Sequence, residues 1–525
     1  MLDSFPFYLS LAVAIVLIVM LANRIKVAYP VLLVLAGLAL SIIPGIPQIH
    51  INSELIFVIF LPPLLYEAGW QTSWKELWRW RRIISSFAFV VVFFTAFSVA
   101  WVANYWIPGF TLALGFLLGG IVSPPDAVST AAILKFIKVP KRMTSILEGE
   151  SLLNDASSLI IFRFAFIAVG TGQFVWHEAA VSFVWMVIGG IVTGILIAYA
   201  VMQVHKILPT DANMDIILTL VTPYGIYICA EEVHSSGVLA VVAGSLFLSY
   251  RRHSFLSSTA RLRSSNVWES LSFILNGLVF LLIGLDLPQI TAELGNVSMK
   301  AAIGYGLLIT GVLVITRIIA AYGAVVVTLI ARNFITVADD RHPGFRTPLI
   351  LGWAGMRGVV SLAAALSIPT HLQEGVPFPQ RNLILFITFI VILTTLLLQG
   401  LTLPLLIRKI GLPTDPDEKL PEEKMYAKLR KQLNKLALKH LEEKYPGGLK
   451  DNPALQQMAQ KWRLNSEEPA TADMPDETKD VYSEILEQQR NWLIKRNLET
   501  FAITEEVIRK HLLFLDLEEE KLKYL

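Results

Sequence analysis

Cysteine is nearly missing from this sequence. Cys229 is the only one among 525 residues, so neither an intramolecular disulfide nor a cysteine-based zinc site is available. Charge is scarce as well. Asp, Glu, Lys and Arg make up 16% of the chain, hydrophobic residues make up 54%, and the mean hydropathy is +0.58. A soluble domain carries about a quarter charged residues. No GxxxxGK[ST] stretch occurs, so nothing points to coupling with ATP. His50, His205, His234 and His371 are scattered without metal-ligand spacing and read as loop histidines. No basic patch lies outside short loops, which removes nucleic acid as a partner. The first apolar run has no basic stretch before it and no small-residue cleavage site after it. It reads as a retained helix, not a signal peptide.

The charge that remains is unevenly placed. Residues 410–525 carry 19 Lys+Arg and 23 Asp+Glu of the chain's 44 and 42. This predicts a transmembrane domain over 1–409 and a soluble, slightly acidic, helical domain over 410–525. In the latter, 421–445 and 481–525 repeat apolar residues at helical spacing, 446–448 (Pro-Gly-Gly) break the pattern, and 466–479 read as a polar loop. Apolar windows long enough to span a bilayer lie at 7–22, 30–46, 53–69, 83–106, 110–134, 144–169, 178–203, 213–231, 233–250, 267–286, 300–331, 346–368 and 382–407. That predicts an all-α membrane protein of about thirteen transmembrane helices.

Loop charges set the orientation. With the N-terminus outside, one side receives Arg24, Lys26, Lys75, Arg79, Arg81, Arg82 and the basic residues of every later loop on that side. The other side receives Lys300 and Arg381. Basic loops stay inside, so the loaded side and the tail are predicted to face the cytoplasm, in a cell (inner) membrane. Thirteen segments with a central linker allow two inverted halves, segments 1–6 and 8–13, which show no clear sequence repeat but have corresponding interruptions. Ser123-Pro124-Pro125-Asp126 breaks one helix, and Gly352, Gly355 and Gly358 with Arg357 break its counterpart. Such paired breaks are the best sequence pointer to a transporter site.

Chemistry concentrates in Glu150-Ser151-Leu152-Leu153-Asn154-Asp155. Each ion placed in hydrocarbon costs roughly 2.5–3.5 kcal/mol on insertion scales, so such groups face a cavity and handle an ion or proton. Glu150, Asn154 and Ser158 share one helix face, with Ser151 and Asp155 beside it. Asp155 is the sharpest candidate. Desolvation disfavours a bare carboxylate, so a proton and a hard monovalent cation can compete for it. Asp126 follows two prolines that remove backbone donors; it either ligates the cation or caps the half-helix starting at Ala127. Asp155 and Asp126 are thus the candidate Na+ ligands, and Ser123 and Thr130 offer further oxygens. Glu150 is expected to pair with Arg317, since an unpaired buried charge is costly. Arg357 is expected to bond freed carbonyls or helix C-termini at the second break. Arg163 has no partner evident in the sequence. Glu67, after Pro62-Pro63, is explained by interfacial solvation or by a role in the site. Trp70, Trp74, Trp78 and Trp80, interleaved with Lys75, Arg79, Arg81 and Arg82, predict an interfacial helix.

FLPPLLYEAG (60–69), SPPDAVSTAAILK (123–135), EGESLLNDASS (148–158) and GWAGMRGVVSLAAALS (352–367) together resemble the bacterial cation/proton antiporters of the family that includes the animal sodium/proton exchangers. The resemblance covers about residues 1–410. It implies inverted repeats, two crossing unwound helices, a homodimer, and an elevator-like movement of an ion-carrying core. At matching positions it implies that Asp155 is the ion and proton carboxylate and that Asn154 organises the site. It also implies that Asp126 and Arg357 lie in the two unwound helices, with Glu150 and Arg317 as a buried ion pair. Asn before the Asp is the pattern of the electroneutral branch. Pro125 stands where the family has Thr, which puts a side-chain oxygen at that position in doubt.

The expected activity is secondary antiport of cytoplasmic Na+, or of Li+ or K+, against external H+. No enzyme activity and no cofactor are expected, and the expected partners are the lipid bilayer and a second copy of the chain. K+/H+ exchange is the alternative. An intramembrane aspartyl protease using Asp126 and Asp155 as a carboxylate dyad is remote, because the GxGD motif of such proteases is absent. The tail offers no motif to name a regulatory ligand.

Overall fold

The computed structural model describes residues 5–43, 53–134, 137, 139–172, 176–292, 294, 297–331, 345–372, 376–411, 422–444, 452–467, 476–499, 511–512 and 514–519. Among these, regular structure is helical; the isolated bridge between His371 and Pro377 extends into no strand. The chain divides into two compact units, Met1–Pro413 and Thr414–Leu525.

In the first unit the helices are α1 (Phe5–Ile25), α2 (Tyr29–Ser41), α3 (Ser53–Gln71), α4 (Trp74–Ser85), α5 (Val92–Trp106), α6 (Leu112–Val122), α7 (Ala127–Leu134) and α8 (Lys141–Thr171). They continue as α9 (Trp176–Ile207), α10 (Ala212–Glu232), α11 (Gly237–Arg251), α12 (Ser258–Leu285), α13 (Leu287–Ala292), α14 (Met299–Ala331), α15 (Arg346–Trp353), α16 (Val359–Leu366) and α17 (Arg381–Ile410). Helix occurs in every apolar window marked in the sequence, and two windows, 110–134 and 346–368, are split. Among the described residues, seven helices are long and apolar enough to cross a membrane: the continuous α4–α5, then α8, α9, α10, α12, α14 and α17. Starts follow local chemistry. Ser73, Thr111, Asp211, Ser236 and Ser257 each accept a backbone N–H from the first turn of the helix they precede, which satisfies donors that the helix cannot. Gly172, with φ 68°, ends α8 in a left-handed turn.

Two bundles emerge from the packing. In one, α2 lies against α12 and α1, α11 against α9, α3 and α10, and α10 against α12. In the other, α6 lies against α5 and α8, and α14 against α17, α15 and α5. Along the seam between them, Leu152, Ala156 and Ile160 of α8 share an apolar cluster with Leu239, Val242 and Leu246 of α11. The interfacial reading of the tryptophan-rich segment corresponds to α4. Trp74 stacks on Trp78, the guanidinium of Arg81 lies 4.6 Å from the Trp78 ring, and Trp80 is buried with its indole N–H donating to Glu76.

The second unit contains α18 (Glu422–Lys444), α19 (Pro453–Glu467) and α20 (Asp476–Glu499). Helix α18 packs on α19, and Arg463 bonds Glu442 at 2.7 Å. Residues 446–448 and the centre of the predicted polar loop lie outside the described residues.

Candidate ion-binding site

The two split helices cross at their breaks. The Asp126 N–H donates to the Met356 carbonyl at 2.7 Å. The Thr130 hydroxyl donates to the carbonyls of Asp126 (3.0 Å) and Ala354 (3.2 Å). Prolines 124 and 125 have no N–H to continue α6, so the chain satisfies its freed groups across the crossing instead.

Arg357 is fully buried and holds the crossing from the second break. Its Nε donates to Val122 O at 2.7 Å, one Nη to Ser123 O at 3.3 Å, the other Nη to Gly355 O, and its backbone N–H to the Thr395 hydroxyl at 3.2 Å. Val122 ends α6. Its carbonyl lies at the negative end of the helix dipole and lacks an intrahelical partner, so the guanidinium supplies both charge and donors. The sequence pointed Arg357 at its own break, and the structure carries it across to the first one as well.

The Asp126 carboxylate is occupied by its own half-helix. One oxygen accepts the Val128 N–H (3.1 Å); the other accepts the Ser129 N–H (3.1 Å) and the Ser129 hydroxyl (2.5 Å). Of the two readings left open by the sequence, capping of α7 is the one these bonds describe. Gly358 makes room for it. A Cβ at Gly358 would fall within 2.5 Å of the Asp126 carboxylate carbon.

Asp155 differs. It is 8% exposed, and among the described residues no hydrogen bond or cation reaches its carboxylate. Asp126 is near enough to act on it by charge. The preceding Asn154 is fully buried. Its amide donates to Pro125 O at 3.2 Å, tying α8 to the first break, while its Oδ1 has no partner among the described residues. The Ser123 hydroxyl is likewise buried and unpartnered. Ser158 is buried, Ser151 half-buried, and Ser157 instead bonds the carbonyls of Ala88 and Asn154. Among the described residues, a buried carboxylate without a counter-ion thus adjoins in sequence a buried amide whose oxygen is unpartnered, chemistry that suits a dehydrated alkali cation or a proton. Among the described residues there is no cluster of three or more His, Cys, Asp or Glu able to hold a metal.

Glu150 and Arg317 meet at 2.8 and 3.0 Å with side chains 1% exposed. Gly355 lets the Arg317 stem pass, since a Cβ there would lie 2.5 Å from its Cδ and Nε. Arg163 lies 3.6 Å from Glu231, both 39% exposed. That partner sits on α10, and no spacing in the sequence indicates it. His205 is a correction. It is buried at the end of α9, with Nδ1 2.8 Å from Asp215 on α10, so it is a core residue and not a loop histidine. Glu67 is half-buried and accepts from Gln71 one turn later. Ser129, Thr395 and the Met356 carbonyl were missed as site-builders. The capping alternative for Asp126 points to Ser129 and the glycine pattern of 352–358 to the Met356 region, while nothing in the sequence signals Thr395.

Residues 10–409 match the family described as "Sodium/hydrogen exchanger, transmembrane". The chain belongs to that family. It is therefore a multi-pass membrane protein of a transporter family. It is 37% identical over 387 residues to the "Sodium, potassium, lithium and rubidium/H(+) antiporter" of Bacillus subtilis (strain 168), covering 72% of this chain and 57% of that protein. It is 32% identical over 400 residues to the "Low-affinity Na(+)/H(+) antiporter NhaS1" of Synechocystis sp., covering 75% and 72%. The match spans less than two thirds of the length of two Bacillus relatives, 57% and 63%. The fold is similar to that of the sodium proton antiporter MjNhaP1 from Methanocaldococcus jannaschii, with TM-score 0.61, 18% identity, and 78% of this chain and 99% of that one covered.

Proposed function

We propose that this protein exchanges cytoplasmic Na+ for external H+, with Asp155 holding either the proton or the cation. The supporting observation is a buried carboxylate without a counter-ion among the described residues, beside the crossing of two broken helices, in a chain of the sodium/hydrogen exchanger family. Competition for one carboxylate is sufficient for coupling. The site cannot be occupied by both, so each direction of movement carries one species. Asn154 and Ser151 supply oxygens or orient the site, and Asp126 shapes it through the cap of α7, contacting the ion only if that cap loosens. Glu150–Arg317 is a scaffold, and Arg357 neutralises the end of α6.

In this reading about thirteen crossings form two inverted halves, with the N-terminus outside and 410–525 as a cytoplasmic domain. The bundle containing α5–α8 and α14–α17 moves against the other, and two chains form a homodimer. The test is proton movement across proteoliposomes, followed with a dye while Na+, Li+ and K+ are added in turn. Saturable, Na+-driven proton efflux supports the reading. Its absence with all three ions overturns it, and a response to K+ alone makes the protein a K+/H+ antiporter.

A further inference from the structure

Arg163 and Glu231 stand apart from the ion site. Arg163 lies eight residues beyond Asp155 on α8, about 12 Å along the axis. With the N-terminus of α8 at the cytoplasmic face, that displacement is outward. Glu231 is on α10, in the opposite bundle, and α8 and α10 share no extended backbone packing. The side chains therefore reach across the seam, meeting at 3.6 Å. Further in, the seam includes the apolar contact of α8 with α11 and contacts of α16 with α3 and α17 with α2. Glu231 is itself anchored, because its Oε1 accepts the Gly237 N–H at 3.0 Å in the turn from α10 to α11. Its other oxygen is the one turned towards Arg163.

We propose that Arg163–Glu231 is an outer latch, an ion pair that holds the two bundles together on the external side while Asp155 faces the cytoplasm. The inference rests on the antiporter reading above and adds a device to it. For Asp155 to open outward, the bundles must part beyond the reach of the pair. Both groups are 39% exposed, so water replaces the lost partner and the latch releases at low cost. A buried pair in the same place would lock the carrier.

The test uses Leu159→Cys, one turn from both Asp155 and Arg163 on α8, as a reporter. It is placed in a Cys229→Ala chain, because Cys229 is exposed two residues from Glu231. A membrane-impermeant maleimide is added to the outside of right-side-out vesicles. Glu231→Gln keeps the acceptor for Gly237 and removes the charge; Arg163→Gln removes the other. Each is expected to raise the labelling rate about two- to fivefold, the ratio a half-exposed ion pair sets between two states. The exchanged pair Arg163→Glu/Glu231→Arg is expected to return it to the native rate. Unchanged labelling in both single variants overturns the latch, as does a rise that the exchanged pair fails to reverse. Asp155→Asn in the same vesicles separates the two ideas. If it still exchanges Na+ for H+, the antiporter assignment of Asp155 fails. If it is inactive and labelling is insensitive to Glu231→Gln, only the latch fails.

Discussion

At the scale of single residues, burial without a partner among the described residues distinguishes Asp155 from Glu150 and Asp126. Glu150 has Arg317, and Asp126 has the N-terminus of α7. Asp155→Asn preserves shape and removes the charge, so Na+-driven proton movement in proteoliposomes is expected to vanish while thermal unfolding in detergent is retained. Efflux near the native rate would remove Asp155 from the mechanism. The Glu150–Arg317 pair should act on stability instead. Glu150→Gln or Arg317→Met leaves one buried charge uncompensated, at about 3–5 kcal/mol. Changing both is expected to recover much of that. A double variant no more stable than the worse single one would refute the pairing energetics.

At the scale of elements, the crossing is a mutual repair of two broken helices. The first break was legible because Pro124 and Pro125 cannot sustain a helix ladder. The second was legible from Gly352, Gly355 and Gly358 around Arg357. Neither pattern says which carbonyl meets which donor. Arg357 bonding Val122, and Asp126 bonding Met356, join residues more than 200 positions apart, and only packing brings them together. Gly358→Ala tests this joint. The added methyl overlaps an Asp126 carboxylate already held by three bonds, so the cap of α7 must give way, a loss of about 0.5–2 kcal/mol. Exchange is expected to fall at least tenfold (~1.4 kcal/mol in the barrier) while Gly225→Ala, on α10 with open space around it, leaves it near native. Equal effects of the two substitutions would show that Gly358 has no special part in the site.

At the scale of the whole molecule, the distribution of titratable groups bears on stoichiometry. Arg317 and Arg357 do not shuttle protons, and Asp126 is committed to its cap. On the proposed reading one carboxylate trades one proton for one cation, and a turnover is expected to move no net charge. Exchange in proteoliposomes is expected to be indifferent to an imposed potassium–valinomycin potential. A reversal point that moves with voltage would mean that Asp126 or another group carries a second proton. The same competition gives a bell-shaped dependence on pH. In acid the proton saturates Asp155, and in alkali the proton is too scarce to complete the return. A rate that climbs steadily across the whole range would contradict a shared site.

Helix locations and the two interruptions were legible in the sequence alone. They depend on hydropathy over about 20 residues and on proline and glycine chemistry, both of which are local. Tertiary structure decided which polar groups are spoken for. The sequence left Asp126 open between ligand and cap; its bonds make it a cap, while Asp155 has no partner among the described residues. Arg163 gained Glu231, and His205 left the loops for a buried pair with Asp215. The physical reason is range. Helix formation follows from neighbours within one turn, but whether a buried charge is paired depends on side chains that another helix brings across the bundle.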